Sequence, residues 1–311
     1  MGISVVIPLY NKVDTIVRAV DSVLAQQGVE MEIIIVDDGS TDGSERSVKG
    51  YGDHVKYIHQ DNAGPSVARN KGARLGHYPF LVFLDADDEL LPGCLAAHLH
   101  FRGIHPDIPL TIASFRNVDG KKVSEEQRVF ERAETFLVND GYGYVSRFDA
   151  SFIIDIPSGA ICVDRNLFES VGGFDELLRC WEITDFMFKL SFKTDRVGLL
   201  DAVYVAIYKS QGNSQFSSTQ NNATYLVHFA NNILSRMNDI PPDRRAPIVN
   251  QVVHIMYALW SAGAISQFKV VARGLCPYLM ESNGNARLCK LACLPNVLLH
   301  LIRTVKGIVF S

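Results

Sequence analysis

The sequence predicts an α/β fold, with a doubly wound and mostly parallel sheet in residues 1–214 and a helical appendage in residues 215–311. Short apolar runs alternate with segments whose apolar residues recur at helical spacing, which is typical of strands buried on both faces of a parallel sheet. Polar residues directly follow three of these runs. The 311 residues are 47% hydrophobic and 21% charged, as in a globular rather than a disordered chain.

The alternation is clearest in residues 1–116. The runs that indicate strands are Ile3–Ile7, Met31–Val36, Val55–His59, Phe80–Leu84 and Ile108–Phe115. The segments that indicate helices are 14–24, Asp42–Lys49, Ser66–Leu75 and Pro92–Phe101. In the first of these, Ile16, Val20 and Val23 share one helical face. Pro92 stands where a proline in the first turn would open a helix.

The pattern after residue 116 is less regular. Residues 117–150 are polar and irregular, which favours an excursion beside the sheet. The pattern then resumes with two strand-like runs and two helical segments: Ser158–Val163, Arg165–Val171, Glu182–Thr194 and Val197–Tyr208. A polar stretch typical of a linker and three helical segments complete the chain: Gln211–Asn222, Tyr225–Met237, Ile248–Ala272 and Asn296–Val309.

Charge and cysteine usage narrow the class of protein. The formal net charge of −4 argues against a general nucleic-acid binder, which would normally be basic. The six cysteines form no C-x-x-C pair, a pattern that favours free thiols in a reducing compartment. The first residues lack the pattern of a secretory signal, and no window offers 18 uninterrupted apolar residues. We therefore expect a cytoplasmic protein.

The polar residues after three strands point to a site, because ligands of such sheets bind beyond the carboxyl ends of the strands. The ends of these three strands carry Pro8-Leu9-Tyr10, Asp37-Asp38 and Asp85-Ala86-Asp87. Asp85 and Asp87 could converge on a hard cation such as Mg²⁺ or Mn²⁺, which prefers oxygen ligands. A solvated acidic turn before the next helix would leave the same pattern. Asp37 and Asp38 could likewise accept hydrogen bonds from a base and a ribose, or form an Asx turn.

A third segment, residues 61–72, starts a helix after the third strand. The N-terminus of a helix attracts phosphate, and Arg69 lies one turn into this helix. Arg69 could reach the same edge of the sheet as the aspartates. The alternative is a surface cation on an ordinary helix.

Six ordered blocks of the sequence resemble the inverting glycosyltransferases of family 2, which have the Rossmann-like GT-A fold. The blocks read VVIPLYN, VDDGSTDGS, NAGPSVARNKG, FLDADD, GGFDE and WEITDF, and the resemblance covers residues 3–214. It implies a nucleotide-sugar half in residues 1–116 and an acceptor half in residues 117–214. It also implies transfer of a sugar from a nucleotide donor, most often UDP-linked, to a saccharide acceptor in cell-surface polysaccharide assembly.

The resemblance assigns roles to individual residues. The donor nucleotide would contact Pro8, Tyr10, Asp38, Asn62, Gly64, Arg69, Asp85 and Ala86. Mn²⁺ or Mg²⁺ would be held directly by Asp87, with Asp85 in its shell. The cleft for the donor sugar and the acceptor would include Gly173, Phe174, Asp175 and Trp181. Trp181 could stack on a sugar ring or pack under the cleft.

The sequence departs from the family pattern at the catalytic base. Many relatives carry Glu-Asp-x-Asp, whereas this chain has Ile183 at the second position and Ile cannot accept a proton. Glu182 is then the first candidate for the general base and Asp185 the second. A non-catalytic subunit that binds the donor or acts as a scaffold stays open. Gln211 also replaces a histidine that relatives often place after the last core strand, so no metal ligand is expected there.

The C-terminal region has no acidic residue after Ser282 and interleaves basic with apolar residues. Such a helix could lie on an anionic membrane surface, which would suit a lipid-linked acceptor at the inner face of the membrane. It could equally pack on protein, in the same chain or in a homo-oligomer. The sequence does not distinguish these partners.

Overall fold

The structure is a computed structural model that describes residues 1–120, 122–132, 136–139, 143–148, 156–208, 222–240, 242, 245–281 and 293–294. The chain divides into two compact units, Met1–Gly212 and Asn213–Ser311.

The first unit contains a sheet and several helices. Its strands are β1 (Gly2–Leu9), β2 (Glu30–Asp37), β3 (Lys56–His59), β4 (Phe80–Phe83), β5 (Glu89–Leu90), β6 (Leu110–Asp119), β7 (Lys122–Gln127), β8 (Phe136–Asn139), β9 (Gly143–Arg147), β10 (Ile161–Asp164) and β11 (Arg196–Tyr208). Its α-helices are α1 (Ile16–Leu24), α2 (Ser44–Lys49), α3 (Pro65–Leu75), α4 (Cys94–Ile104), α5 (Arg165–Ser170) and α6 (Glu182–Leu190). Short 3₁₀ turns lie at Gly52–His54, Val129–Arg132 and Ser158–Ala160.

The strands form one sheet in the order β3-β2-β1-β4-β10-β6-β11-β9-β8, with β7 on β6 and β5 on β11. Strands β3, β2, β1 and β4 are mutually parallel, and so are β6 and β11. Strand β10 is antiparallel to both β4 and β6. The predicted α/β fold is confirmed, and the parallel strands place the carboxyl ends of β1, β2 and β4 at one edge.

The first strands are buried, which accounts for the apolar runs in the sequence. Ile3, Val5, Val6 and Ile7 of β1 are all fully buried, so both faces of the strand are apolar. A methyl group added at Gly72 of α3 would lie 2.3 Å from the Val6 side chain, so this glycine lets the helix approach the sheet closely. The close approach fixes the position of α3 over the site described below.

The prediction of an irregular excursion at residues 117–150 is wrong where the structure describes that region. Strand β6 continues to Asp119 and pairs with β7 as an antiparallel hairpin, and β9 pairs with both β8 and β11. Lys122, Val123, Glu125 and Glu126 of β7 are exposed, so the strand shows no apolar pattern. Pro92 also does not open α4, which begins at Cys94 after Gly93 in the left-handed region (φ 83°).

The second unit is helical in its described part. Its helices are α7 (Ala223–Ser235), α8 (Arg245–Ser261) and α9 (Ile265–Glu281), with a 3₁₀ turn at Met237–Asp239. The predicted single helix Ile248–Ala272 is broken at Gly263 (φ 77°). There Gly263 N–H donates to the Trp260 carbonyl and Ala264 N–H to the Leu259 carbonyl, a glycine-based helix stop.

The remaining predictions for the C-terminal region concern other residues. The expected linker Gln211–Asn222, apart from Asn222, and the expected helix Asn296–Val309 lie outside the described residues, and so does most of the basic tail. Within the part of the chain that is described, no helix combines the length and apolar character needed to cross a bilayer.

Candidate functional site

The loops after β1, β2 and β4 meet at the carboxyl edge of the sheet. Asp38 N–H donates to the Leu9 carbonyl at 2.8 Å, and Leu84 N–H donates to the Val6 carbonyl at 3.0 Å. The Thr15 hydroxyl donates to the Ala86 carbonyl at 2.9 Å, which joins the first loop to the third. The structure therefore brings together the three polar strand ends that the sequence singled out.

Serine, threonine and aspartate of the segment 40–44 hold the loop after β1. Asn11 has φ 50°, and its N–H donates to the Ser40 hydroxyl while its side-chain oxygen accepts from Thr41 N–H. Lys12 N–H donates to the Ser44 hydroxyl at 3.0 Å. These bonds keep Pro8 and Tyr10, both half-buried, at the edge. Several residues of the VDDGSTDGS block thus stabilise the conformation of the loop after β1.

Asp38 organises the loop that leads into α3. Its carboxylate accepts hydrogen bonds from the Gln60 side chain at 2.7 Å and from Ala63 and Gly64 N–H at 2.8 Å each. Its carbonyl accepts from the Asn62 amide at 3.0 Å. Asp38 is 3% exposed, so its carboxylate faces this loop. A contact between Asp38 and a base or ribose stays a prediction.

The start of α3 is shaped by Gly64, whose φ of 102° is unfavourable for other residues. The Arg179 side chain lies beside it and donates to the Asn62 side-chain oxygen at 2.9 Å. The first turn of α3 therefore has a cation next to it. No signal in the sequence places Arg179 at this site, because it belongs to a distant segment of the chain.

Arg69 joins two parts of the site. Its guanidinium donates to Asp85 Oδ1 at 2.6 Å and to Glu182 Oε1 at 2.9 Å, and the side chain is only 4% exposed. Burial alone would lower the pKa of Arg69, but the charges of Asp85 and Glu182 outweigh it and raise the pKa. Arg69 is therefore a permanent cation, and the alternative of a surface cation is wrong.

Three aspartates after β4 form what we call the acidic row: Asp85, Asp87 and Asp88. Asp88 is buried and accepts from Tyr208 N–H at 3.2 Å. Its pKa lies well above the usual range because of burial and the charges of Asp85 and Asp87. Asp85 and Asp87 are partly exposed, with 34% and 26% of their side-chain surface accessible. The row thus presents two carboxylates to solvent and keeps the third inside.

Cations flank the acidic row. Lys12 pairs with Asp87 Oδ2, and the Arg18 guanidinium donates to the Asp87 carbonyl. Arg18 also lies 3.6 Å above the ring of Tyr208, whose hydroxyl donates to Glu89 at 2.6 Å. Lys12 follows the VVIPLYN block directly and could have been found from it, whereas no sequence signal joins Arg18 to Tyr208.

The two candidate bases lie in different surroundings. Asp185 is fully buried and its Oδ2 lies 3.6 Å from the Lys189 ammonium. Glu182, in the first turn of α6, is 12% exposed and faces Arg69. Trp181 stands before α6 with φ 65° and is 38% exposed. Accessibility therefore favours Glu182 as the group that could reach a substrate.

The GGFDE turn is held by Asn70 of α3. The Asn70 side chain accepts from Phe174 N–H and donates to the Phe174 carbonyl, each at 2.9 Å, and it also donates to Glu176. Phe174 is 2% exposed and packs edge-on against Phe83. Gly173 is buried and Asp175 is half-buried. The expected place of these residues in a sugar cleft stays a prediction.

We expect Asn70→Ala to lower the free energy of unfolding by about 2 kcal/mol, because it leaves the buried Phe174 N–H and carbonyl without partners. Denaturant unfolding of the full chain measures this change. Glu176→Ala is the control, since Glu176 is an exposed partner of the same amide and its loss should change stability by less than about 0.5 kcal/mol. Equal effects of the two substitutions would contradict the role given to Asn70.

The N-terminal part of the chain is similar to known proteins. Residues 4–152 match the family model of Glycosyl transferase family 2. This chain carries a glycosyltransferase family 2 domain. The chain is 45% identical to the uncharacterized glycosyltransferase YibD of Escherichia coli over 93 aligned residues. The aligned residues make up 29% of this chain and 27% of YibD. It is 41% identical to the succinoglycan biosynthesis protein ExoO of Rhizobium meliloti over 92 aligned residues, which make up 29% of this chain and 26% of the ExoO chain. The chain thus matches about a quarter of the length of these two curated relatives.

Solved structures show the same fold. The crystal structure of S. aureus TarS 1-349 in complex with UDP-GlcNAc matches with a TM-score of 0.61 at 16% identity, over 100% of this chain and 94% of that chain. The complex of TarS 1-349 with UDP matches with a TM-score of 0.59 at 17% identity. This match covers 91% of this chain and 90% of the TarS chain. The expected GT-A fold is confirmed by this likeness.

Proposed function

We propose that this protein is an inverting glycosyltransferase that moves a sugar from a UDP-linked donor to a saccharide acceptor during cell-surface polysaccharide assembly. The observation that carries the proposal is the bridge from Asp85 through Arg69 to Glu182 within a family 2 domain. It joins the acidic row, where the diphosphate would lie, to the carboxylate that would receive a proton.

The relatives support the substrate classes. TarS of S. aureus was crystallised with UDP and with UDP-GlcNAc, which supports a UDP-linked donor here. ExoO and ExoU of Rhizobium meliloti are succinoglycan biosynthesis proteins, which supports a saccharide acceptor and a polysaccharide product. We propose the donor and acceptor by analogy with these proteins, because sequence identity is confined to short segments or is low.

The acidic row fits a divalent cation. Among the described residues, Arg69 contacts Oδ1 of Asp85, and Lys12 contacts Oδ2 of Asp87. The second oxygen of each carboxylate could then bind a metal ion. Mn²⁺ and Mg²⁺ prefer such ligands and commonly share them with a diphosphate. Among the described residues, no group of three or more His, Cys, Asp or Glu side chains is placed to hold a metal ion. When bound with the nucleotide, the ion would neutralise charge on the departing diphosphate.

Glu182 would act as the general base in this proposal. An acceptor hydroxyl becomes a better nucleophile when a carboxylate takes its proton, a contribution of roughly 10²–10⁴-fold in rate. Arg69 holds one oxygen of Glu182 and leaves the other for the hydroxyl. A single displacement at the anomeric carbon inverts its configuration, so no covalent nucleophile is needed. Arg69 also keeps Glu182 oriented relative to Asp85.

We expect UDP with Mn²⁺ to raise the melting temperature of the wild-type protein, since a ligand at 100 times its Kd stabilises the folded state by about 2.7 kcal/mol. Asp87→Ala should remove the increment that depends on Mn²⁺. Thermal shifts with a panel of nucleoside diphosphates, with and without Mn²⁺, measure both effects. Asp53→Ala is the control, because Asp53 is an exposed aspartate in the 3₁₀ turn Gly52–His54, away from the acidic row.

Two outcomes would count against these assignments. If no nucleotide stabilises the wild-type protein with metal present, the transferase proposal fails. If Asp87→Ala keeps the full Mn²⁺ increment, Asp87 is not the metal ligand. The second candidate function, a donor-binding or scaffold subunit without turnover, is favoured by Ile183. Nucleotide binding without sugar transfer to any acceptor would support that alternative.

A further inference from the structure

A pocket of about 550 Å³ lies in the first unit, between strands β6, β7 and β11 and residues 156–157. It is lined by Phe115, Asn117, Glu125, Gln127, Ile156, Pro157 and Ile207. Its volume falls within the ~300–1,000 Å³ that is typical of small-molecule sites. None of these residues belongs to the six blocks that carried the sequence prediction.

Strand register explains how these residues come together. Asn117 of β6 pairs with Glu125 of β7 on one side and with Ile207 of β11 on the other. Phe115, two residues before Asn117, pairs with Gln127. Side chains two residues apart on a strand point to the same face, so the lining residues of three adjacent strands share one face of the sheet.

The pocket adjoins the acidic row through two elements. Pro157 precedes the turn Ser158–Ala160, and a methyl group added at Gly159 would lie 3.1 Å from the side chain of Leu84, the residue before Asp85. On the other side, Ile207 precedes Tyr208, whose N–H donates to Asp88. Two walls of the pocket are thus continuous along the chain with residues that contact Leu84 and Asp88, at the two ends of the acidic row.

The chemistry of the lining selects a class of ligand. Asn117, Glu125 and Gln127 offer two amides and a carboxylate, and the Gln127 amide donates to Glu125. Phe115, Ile156, Pro157 and Ile207 offer apolar surface. A saccharide presents hydroxyl groups at its edge and C–H groups on its faces, which matches both kinds of surface. The Glu125 carboxylate in this lining disfavours an anionic ligand.

We propose, on the basis of the function proposed above, that this pocket binds a neutral saccharide unit of the acceptor. The polar wall on the β6–β7 hairpin would accept and donate hydrogen bonds to the hydroxyl groups. The apolar wall from residues 156–157 and β11 would cover one face of the ring. The hairpin then selects the acceptor, separately from the residues that hold the donor.

The test compares two neighbouring glutamates of β7. Both side chains are exposed, but Glu125 lines the pocket, whereas Glu126 is on the other face of β7 and lies 3.8 Å from Arg128. Saturation-transfer NMR on the full chain with UDP present would use methyl glycosides of glucose, galactose, mannose, rhamnose and N-acetylglucosamine, with methyl glucuronide as the anionic probe. We expect at least one neutral glycoside to bind, Glu125→Ala to weaken its Kd about tenfold, and Glu126→Ala to leave it unchanged. Asn117→Ala should act like Glu125→Ala.

Several results would overturn this inference. The inference fails if no neutral glycoside binds or if methyl glucuronide binds more tightly than the neutral glycosides. It also fails if Glu125→Ala and Glu126→Ala change the Kd equally. A loss of UDP stabilisation in Glu125→Ala would place the pocket on the donor side instead. The proposed function is judged separately, because UDP stabilisation of the wild-type protein does not depend on this pocket.

Discussion

Replacing Arg69 with alanine is expected to lower the free energy of unfolding by about 3 kcal/mol. The side chain is 4% exposed, and its removal leaves Asp85 and Glu182 without the cation between them. Breaking a buried ion pair from one side typically costs about 3–5 kcal/mol, because a charge stays behind uncompensated. We expect the lower end of this range, since Asp85 is 34% exposed and water can screen it. Denaturant unfolding at neutral pH measures the change.

Two further variants test whether the loss of stability comes from breaking the contacts of Arg69 with Asp85 and Glu182 or from removing a positive charge. Arg74→Ala on the same helix removes an arginine that is 64% exposed and 3.8 Å from Glu176, so it should change stability by less than about 0.5 kcal/mol. Arg69→Lys should recover only part of the loss, because a single ammonium does not reproduce the planar fork that reaches two carboxylates. If Arg69→Ala is as stable as Arg74→Ala, the bridge does not hold the site together.

Replacing Glu182 with glutamine should lower kcat by about 10²–10⁴-fold and leave nucleotide binding intact. Glutamine keeps the size of the side chain and an oxygen that can accept from Arg69, but it cannot take a proton from the acceptor. Release of UDP from UDP-sugars in the presence of saccharide acceptors measures turnover, and the thermal shift with UDP and Mn²⁺ measures binding. A fall in both readouts would indicate loss of the site rather than of the base.

Asp185→Asn is the matched comparison for this assignment. Asp185 is fully buried beside Lys189, so we expect its substitution to affect stability more than kcat. If Asp185→Asn has no turnover while Glu182→Gln is active, the base is Asp185 and the assignment to Glu182 is wrong. If both variants match the wild-type rate, neither carboxylate is the base.

Much of the fold was predictable from the pattern of apolar residues. Strands β1, β2 and β4 are largely buried on both faces, so each reads as a mostly apolar run, interrupted at Ser4 in β1 and at Glu32 in β2. The edge where Leu9, Asp38 and Asp85 meet follows from parallel strand direction alone. The family blocks added expected roles for individual residues, because the order of the blocks along the chain is specific.

Other elements could not be predicted from the pattern. The exposed strand β7 lacks alternation because both of its faces meet water, and β5 has only two residues. Glu182 and Asp185 are three residues apart on a helix, a spacing that places both on one side. Packing nevertheless buries Asp185 completely and leaves Glu182 12% exposed and facing Arg69. The accessibility of a side chain depends on the elements packed against its helix, and the spacing of residues within the helix gives no information about those elements.

The sequence alone determined strands β1, β2 and β4, the residues at their ends and the match of residues 4–152 to family 2, because these depend on local composition and order. Folding decides which groups face each other: Arg69 faces Asp85 and Glu182, Lys12 faces Asp87, and the backbone N–H of Tyr208 faces the buried Asp88. It also decides that Asn117, Glu125 and Ile207 line one pocket. These pairs join residues far apart in the chain, and their distances result from sheet register and helix packing rather than from any neighbouring sequence.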